Sequence, residues 1–203
     1  MIYIILVACY LIGAFPTGYV MVKLLKGTDI RQHGSGNIGF TNVKRVLPIF
    51  PAIMTLVIDI AKGFVAVYLA KLLVHSSNTN LNDLYIVVGG IMAIIGHNWP
   101  VYINFKGGKG VATGCGVFLA IAPTATLCAV VVWIVSVLIF NIVSISSILA
   151  VIVLPVAMVM QKQSMVYVGV GILISIMIIY RHRENIARIR RGEESEFIKR
   201  AKK

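Results

Sequence analysis

The chain has 203 residues, of which 59% are hydrophobic and 13% are charged, whereas a soluble domain is roughly 45–50% apolar and about 25% charged. This composition excludes an ordinary soluble globule, a disordered chain and a secreted disulfide scaffold, and it predicts an integral membrane protein. Lysine and arginine outnumber acidic residues by 19 to 7, and because this excess lies between and after apolar runs it favours membrane lipids or phosphorylated ligands over nucleic acid as partners.

Apolar runs predict an all-α integral membrane protein, a bundle of seven transmembrane helices, since a helix needs about 20 apolar residues to cross a bilayer. The first run, from Ile2 to about Leu25, has lysines behind it rather than ahead of it. We therefore expect a retained span with its N-terminus outside and a kink at Pro16. The other spans are predicted at about Ile49–Val74, Leu84–Ile95 with the interfacial stretch Trp99–Tyr102, Val111–Ala122, Pro123–Phe140, Asn141–Met160 and Met165–Tyr180.

The number of spans depends on a turn at Pro123. The roughly 50 apolar residues from Val111 to Met160 hold two spans if the chain breaks only at Asn141, and three if it also turns at Pro123. The positive-inside rule places the basic residues 181–203 in the cytoplasm, so an outside N-terminus requires an odd number of spans. We predict seven spans in one domain, with residues 192–203 as a solvated or lipid-facing basic cytoplasmic tail.

Polar residues interrupt these runs in three segments, and all three are predicted at the cytoplasmic face. The first segment, residues 31–45, contains three glycines, which permit close approach of the backbone to a ligand. Its hydroxyl, amide and cationic side chains suit a phosphate or a polyol, and they include Ser35, Asn37, Thr41 and Arg45. A flexible loop between two spans is the alternative interpretation.

The second segment, residues 96–110, ends in the run KGGKG directly before an apolar helix. Successive backbone N–H groups at a helix N-terminus, flanked here by Lys106 and Lys109, form a cradle for an anion. The spacing differs from that of a Walker A loop, which requires Gly-x-x-x-x-Gly-Lys-Ser/Thr. A juxtamembrane turn with two snorkelling lysines is the alternative interpretation.

The third segment, residues 181–188, is basic and has a helical pattern. His182, Asn185 and Arg188 share one helix face because they are spaced by three residues. Basic residues that face anionic lipid explain the arginines equally well, but they do not explain the histidine and the asparagine.

Four further residues are candidates for function. His97 is a candidate general base, since histidine titrates at about pH 7, and it is alternatively a donor that only orients a substrate. Asp59 and Lys62 lie mid-span at a spacing of three residues and could form either a functional site or a structural ion pair. Ser144 lies at a junction predicted on the cytoplasmic side, so its hydroxyl is placed to join the site.

Two function hypotheses fit the three segments. One is a transferase that acts on a phosphorylated headgroup precursor and a lipid-like donor, and the other is a transporter of an anionic phosphate ester. A transporter is expected to bind its substrate near the membrane midplane, usually between internal repeats. The polar segments lie at one face and no repeat is visible in the sequence, so the enzyme is favoured.

The three segments resemble the signature motifs of the bacterial acyl-phosphate-dependent glycerol-3-phosphate acyltransferases, and the resemblance covers the whole chain. It rests on residues 34–42 (GSGNIGFTN), residues 96–101 and 105–113 (GHNWPV and FKGGKGVAT), and residues 182–188 (HRENIAR). It implies that the acyl group of an acyl phosphate passes to the 1-hydroxyl of glycerol 3-phosphate. The products would be lysophosphatidic acid and phosphate, in the first acylation of phospholipid synthesis at a bacterial cell membrane.

The resemblance also implies roles for single residues. The loop at residues 106–110 would hold the phosphate of the acyl phosphate, and Arg45, His182 and Asn185 would hold glycerol 3-phosphate. We expect catalytic contributions from His97, Ser35, Lys106 and Asn185, and substrate binding by Asn37, Thr41, Arg45, Gly107, Gly108, Lys109, Gly110, His182 and Ser144. Because an acyl phosphate is already activated, neither a metal nor a cofactor is implied. No histidine has an aspartate at the His-x-x-x-x-Asp spacing of the other acyltransferase class.

Overall fold

A computed structural model describes residues 2–73 and 79–198, and these residues fold mainly into α-helices. His75 and the tail residues Lys199, Arg200, Lys202 and Lys203 lie outside the described residues. The helices are α1 (Ile2–Ala14), α2 (Thr17–Lys26), α3 (Phe40–Val46), α4 (Ile49–Leu73), α5 (Thr79–Asn98), α6 (Val111–Ile121), α7 (Pro123–Phe140), α8 (Val143–Met160), α9 (Met165–Arg181) and α10 (Arg183–Arg190). Single 3-10 turns at Ile30–Gln32 and Val101–Ile103 lie in the first two polar segments.

Five helical stretches in the described residues are long and apolar enough to cross a membrane, which confirms the prediction of a helical, multi-span protein. These stretches are Ile2–Lys26, Ile49–Leu73, Leu81–Ile103, Pro123–Phe140 and Val143–Met160. A sixth is formed if α9 and α10, which are bent by 53°, count together. Helix α6 has 11 residues and is therefore about 16 Å long, roughly half of a 30 Å hydrocarbon core. The count of seven spans and their orientation stay predictions.

The helix breaks fall where the sequence predicts them. The first span is interrupted at Pro16, between α1 and α2, because proline has no N–H to continue the helix. The carbonyl of Phe15 at this break accepts a hydrogen bond from Nζ of Lys62 at 3.0 Å. Pro123 begins α7, a position that suits proline, and Asn141 ends it in the left-handed conformation with φ 54°. Proline and asparagine thus set these boundaries locally.

The chain divides into two compact units, Met1–Ile121 and Ala122–Lys203, and the single-domain assignment stays a prediction. In the first unit, α4 and α6 approach closely through Gly63 and Gly116. A Cβ atom at Gly63 would overlap the carbonyl of Thr113, and one at Gly116 would overlap the carbonyl of Ile60. Small residues at such crossings are typical of membrane helices, since they bring the backbones into direct contact.

In the second unit, α8 packs against both α7 and α9. Trp133 on α7 donates to the hydroxyl of Ser147 at 3.2 Å, and the hydroxyl of Ser175 on α9 donates to the carbonyl of Val151 at 2.5 Å. These polar side chains lie within otherwise apolar helices, where they use each other and backbone carbonyls as partners.

Candidate active site

The first polar segment is organised around the buried side chain of Asn42. Its amide oxygen accepts the backbone N–H of Ser35 at 3.0 Å. Its amide nitrogen donates to the carbonyls of Asn37 at 2.8 Å and His33 at 2.9 Å. A Cβ atom at Gly34, which has φ +57°, would overlap the Asn42 amide oxygen. The loop therefore wraps around a single amide, which fixes its course more firmly than a flexible linker would allow.

Arg31 fastens this loop to the second segment. Its guanidinium forms a salt bridge with Asp29 at 2.7 Å, stacks over the ring of Tyr19 and donates to the carbonyl of Ile103 at 3.0 Å. The hydrogen bonds from Arg31 lower the pKa of the Asp29 carboxyl below its ordinary value. Arg31 thus has a structural function, and the loop 30–39 and the turn Val101–Ile103 are joined within the first unit.

The predicted substrate-binding residues of the first segment lie on and beside this loop. Ser35 and Arg45 are exposed, and Thr41 is half-buried on α3. The amide oxygen of Asn37 accepts the N–H of Gly39 at 2.9 Å, so this side chain also shapes the turn into α3. Ser35, Asn37, Thr41 and Arg45 thus lie on one short stretch of chain, residues 35–45, which also contains Asn42.

The second segment forms a tight loop, residues 104–110, between α5 and α6. Asn104 and Phe105 have φ values of 56° and 59°, and Gly110 has a φ of +86°. The loop turns back on the end of α5, where the N–H of Gly108 donates to the carbonyl of His97 at 3.0 Å. It then leads directly into the N-terminus of α6, as the anion-cradle interpretation expects. Lys106 is exposed and Lys109 is half-buried.

His97 lies behind this loop rather than on its open side. The residue is 3% exposed. A Cβ atom at Gly108 would overlap the ring Nε2, and a Cβ atom at Gly107 would overlap the His97 carbonyl. On the opposite side of the ring, Nδ1 lies 3.8 Å from a carboxylate oxygen of Asp59. The ring is therefore enclosed between the loop backbone and a buried carboxylate.

Asp59 and Lys62 form the mid-span ion pair that their spacing allows. Lys62 Nζ lies 2.8 Å from Asp59 Oδ1, and both side chains are at most 5% exposed. The hydroxyl of Thr17, at the start of α2, donates to the same oxygen at 2.9 Å. The carboxylate therefore connects the helix break at Pro16, the middle of α4 and the end of α5.

In the second unit, the residues of the third segment meet Glu194. The amide nitrogen of Asn185 donates to this carboxylate at 2.6 Å, Nε of Arg188 at 2.7 Å and the hydroxyl of Ser144 at 2.9 Å. The Glu194 side chain is only 6% exposed. Burial alone would raise the pKa of Glu194, but these three hydrogen bonds and the positive charge of Arg188 together outweigh it and lower the pKa.

His182 lies at the bend between α9 and α10 and is buried. Its ring Nδ1 lies 2.8 Å from the carbonyl of Ile178. Because a carbonyl can only accept, Nδ1 carries a proton in this arrangement. The ring is thus fixed by the last turn of α9, while Asn185 and Arg188 on α10 are fixed by Glu194.

The segment after Gly192 is only partly solvated: Ser195, Glu196 and Ile198 are exposed, whereas the Glu194 side chain is buried. Glu194 is turned inward, and the backbone N–H groups of Phe197 and Ile198 donate to the backbone and side-chain oxygens of Asn141 at 2.8 and 2.9 Å. The Asn141 amide donates in return to the carbonyl of Ile198 at 2.8 Å. These contacts hold the tail against the turn between α7 and α8.

Three residues of these sites are absent from the sequence-based set: Thr17, Asn42 and Glu194. Asn42 lies inside the motif and is one amide among several there. Thr17 follows a helix-breaking proline, and Glu194 is an acidic residue in a basic stretch. The charge of Glu194 against its surroundings was the one local signal that could have identified it.

Residues 3–192 match the family model described as glycerol-3-phosphate acyltransferase. A curated relative of that name from Synechococcus sp. (strain CC9902) is 43% identical, with 91% of this chain and 90% of the relative covered. Another from Alkaliphilus metalliredigens is 40% identical, with 95% and 94% covered.

Solved structures give the same result. The chain resembles a crystal structure of PlsY, an integral membrane glycerol 3-phosphate acyltransferase, in its glycerol 3-phosphate form, with a TM-score of 0.88 at 35% identity. The match covers 97% of this chain and 96% of that one. The lysophosphatidic acid form of PlsY matches with a TM-score of 0.84 at 34% identity, with 96% and 94% covered. This chain therefore belongs to the glycerol-3-phosphate acyltransferase family.

Proposed function

We propose that the protein acylates glycerol 3-phosphate with an acyl phosphate as donor, giving 1-acyl-glycerol 3-phosphate (lysophosphatidic acid) and inorganic phosphate. The observation that carries this proposal is the loop 104–110 in a chain of this family. Its glycine backbone turns onto the end of α5 and leads into the N-terminus of α6, with Lys106 and Lys109 beside it. This arrangement suits a phosphate group, because a helix N-terminus and nearby cations both favour an anion.

The reaction needs positioning and charge stabilisation rather than a covalent enzyme intermediate. The oxygen of the 1-hydroxyl of glycerol 3-phosphate attacks the carbonyl carbon of the acyl phosphate, and the bond from this carbon to the bridging phosphate oxygen breaks. The phosphate leaves with the electron pair, and the hydroxyl proton passes to a phosphate oxygen. Holding two anions in reach of each other costs energy, which fixed cations and N–H donors offset.

Within the first unit, we assign the acyl phosphate to Lys106, Gly107, Gly108, Lys109 and Gly110. Ser35, Asn37 and Thr41 provide hydroxyl and amide groups for polar substrate atoms, and Arg45 binds a phosphate oxygen of glycerol 3-phosphate. The fixed course of the loop around Asn42 supports these assignments, since a rigid backbone loses little entropy when a ligand binds.

For His97, the enclosed ring favours an orienting role over that of a general base. Its Nε2 faces the backbone of Gly108 and its Nδ1 faces Asp59. A base must come within hydrogen-bond reach of the substrate proton, and a ring 3% exposed behind the loop is poorly placed for this. We therefore assign the proton to a substrate phosphate oxygen.

In the second unit, we assign substrate binding to Ser144 and His182 and a catalytic contribution to Asn185. Ser144 and Asn185 both donate to a carboxylate oxygen of Glu194, so their O–H and N–H groups are oriented for an anionic acceptor. His182 is buried at the bend and its ring direction is set by Ile178. The assignment of Asn185 is tested by the variant Asn185→Ala below.

The acyl-transfer test uses detergent-purified protein, radiolabelled glycerol 3-phosphate, and either acyl phosphate or acyl-CoA. Labelled lysophosphatidic acid from acyl phosphate alone is the expected result. Product from acyl-CoA would refute the donor. Absence of product from either donor, with folded protein, would favour the transporter. Lys109→Ala and Asn185→Ala are each expected to abolish turnover in folded protein, whereas Arg191→Ala, which removes an exposed ion pair, should leave it unchanged.

For the membrane topology, we propose seven spans in one acyltransferase domain, with α6 as a short fourth span, an outside N-terminus and a cytoplasmic C-terminus in a bacterial cell membrane. A single cysteine at the exposed position Thr124, in a background without Cys9, Cys115 and Cys128, tests this order. Thr124→Cys should react with an impermeant maleimide in intact cells, and Glu193→Cys only after permeabilisation. The opposite pattern at Thr124 would overturn the seven-span order.

A further inference from the structure

The shape of the loop 104–110 depends on the position of the His97 ring. The N–H of Gly108 donates to the His97 carbonyl at 3.0 Å. Gly108 also packs so closely against the His97 ring that a Cβ atom at this position would overlap Nε2 of His97. A Cβ atom at Gly107 would overlap both the His97 carbonyl and the ring of Pro100. Because the backbone lies directly on this histidine, a rotation or shift of its ring moves the N–H groups of the loop.

The His97 ring is in turn backed by a buried polar network. Asp59 Oδ1 lies 3.8 Å from His97 Nδ1, and it is itself held by Lys62 at 2.8 Å and by the Thr17 hydroxyl at 2.9 Å. Lys62 also donates to the Phe15 carbonyl at 3.0 Å. All four side chains that form this network, Thr17, Asp59, Lys62 and His97, are at most 6% exposed.

Stability alone gives little reason for such a network in an apolar span. Burying two charges is expensive, and replacing a buried ion pair with apolar residues of similar volume is often neutral or stabilising. The network also continues from α4 to a residue in contact with the proposed donor loop. A positioning function accounts for both features, because an ion pair with fixed partners holds a neighbouring ring in one orientation.

We propose that Asp59, fixed by Lys62 and Thr17, is a positioning residue that holds the His97 ring and thereby the loop that binds the acyl donor. The proposal rests on the proposed function in one respect, the assignment of this loop to the acyl phosphate. Asp59 does not touch substrate and acts only through His97. It therefore affects donor binding and orientation more than the binding of glycerol 3-phosphate.

The main test uses the double variant Asp59→Asn/Lys62→Met, which removes both charges and leaves an amide to accept the Thr17 hydroxyl. In folded, monodisperse protein, we expect either the KM for acyl phosphate to rise or the kcat to fall, by a factor on the order of tenfold to a hundredfold. The KM for glycerol 3-phosphate should change much less. Lys71→Met is the matched control, since it removes a different lysine contact of α4, the hydrogen bond to the Ala120 carbonyl.

Hydrogen exchange gives a readout that does not require activity. Backbone amides of residues 105–112 should exchange faster in the double variant and at the wild-type rate in Lys71→Met. Unchanged exchange together with unchanged kinetics in the folded double variant would overturn the positioning function. Faster exchange with unchanged kinetics would retain the function of Asp59 but overturn the assignment of the loop to the acyl donor.

Variants at Thr17 keep the proposal testable if the double variant does not fold. Thr17→Val is nearly isosteric and removes only the hydroxyl that holds Asp59, so it should shift the same parameters by a smaller factor, about threefold to tenfold. Thr17→Ser retains the hydroxyl and should restore wild-type values. Equal behaviour of the two variants would contradict the proposal.

Discussion

Among the residues that the structure describes, each unit buries one side-chain carboxylate, and the two are held by similar partners. Asp59 accepts a hydroxyl from Thr17 and pairs with Lys62, and Glu194 accepts a hydroxyl from Ser144 and pairs with Arg188. In both cases the charge is balanced by one cation, while neutral donors satisfy further lone pairs. Buried carboxylates in proteins require this combination, because desolvation otherwise exceeds the attraction to the cation.

The difference lies in how the partners are supplied. Asp59 pairs with a residue one helical turn away on an apolar span, so its partner is present as soon as α4 forms. Glu194 lies in an irregular segment and receives donors from α8 and α10, one of them 50 residues away in sequence. The first carboxylate therefore fixes a point inside a group of helices, and the second ties the irregular segment after α10 to α8 and α10.

The largest effect is expected from breaking the pair in the apolar span on one side only. Asp59→Ala leaves the Lys62 ammonium buried without its carboxylate, which costs about 3–5 kcal/mol. Asp59→Ala/Lys62→Met removes both charges and should recover most of this loss. Thermal unfolding of both variants in detergent, monitored as the loss of the monodisperse peak, measures these changes in stability. A double variant no more stable than Asp59→Ala would show that the cost does not come from the unpaired charge.

A smaller loss is expected at the second carboxylate. Glu194→Gln retains the shape of the side chain but removes the negative charge that faces Arg188. The new amide nitrogen is itself a donor, and it would face one of the donors that Glu194 now accepts from. The expected cost is about 1–3 kcal/mol. Glu193→Gln is the matched control, because Glu193 pairs with Arg191 at the surface, where both side chains are more than half exposed and an ion pair contributes about 0–1 kcal/mol. Equal melting temperatures for the two variants would contradict a structural function for Glu194.

The contrast between the two carboxylates also explains what the sequence could predict. The breaks at Pro16, Pro123 and Asn141 were predicted correctly, because proline and a change in apolar run length act locally. The Asp59–Lys62 pair was foreseen as one of two alternatives, since its spacing alone brings the two side chains together. The loop before α6 was located because glycine and lysine directly before an apolar helix form a local pattern.

Thr17 was missed because its partner is distant in sequence. Glu194 was missed because Ser144 is distant, and because Asn185 and Arg188, although near, reach it across an irregular segment without helical spacing. Ser144 precedes Glu194 by 50 residues, and Asp59 follows Thr17 by 42, so neither contact leaves a periodic or local signal. The basic composition of the tail predicts a solvated or lipid-facing segment, and composition does not record that one acidic residue turns inward. For Asn42 the reason differs, because its partners are near but loop closure around one amide depends on backbone geometry.

A pH series sharpens the comparison at the second carboxylate. The folded-state pKa of Glu194 is lowered, so the ionised carboxylate adds stability that is present above its unfolded pKa of about 4.3 and is lost as the pH falls through the folded value. The melting temperatures of wild type and Glu194→Gln should therefore differ most near pH 7 and converge in acid below about pH 4. A constant difference over this range would show that ionisation of Glu194 is not the source of the stability.

The smallest effect is expected at Asn141, which holds the segment after Glu194. Asn141→Gly keeps the left-handed backbone but removes the two side-chain hydrogen bonds to Ile198, at a cost of about 1 kcal/mol. Backbone amides of residues 193–198 should exchange faster, while those of α4 remain unchanged. If Asn141 acts by holding Glu194 in place, the losses in Asn141→Gly/Glu194→Gln should be less than additive. Full additivity would mean that Asn141 and Glu194 hold the terminus independently, and that the second carboxylate, like the first, depends only on the donors it contacts directly.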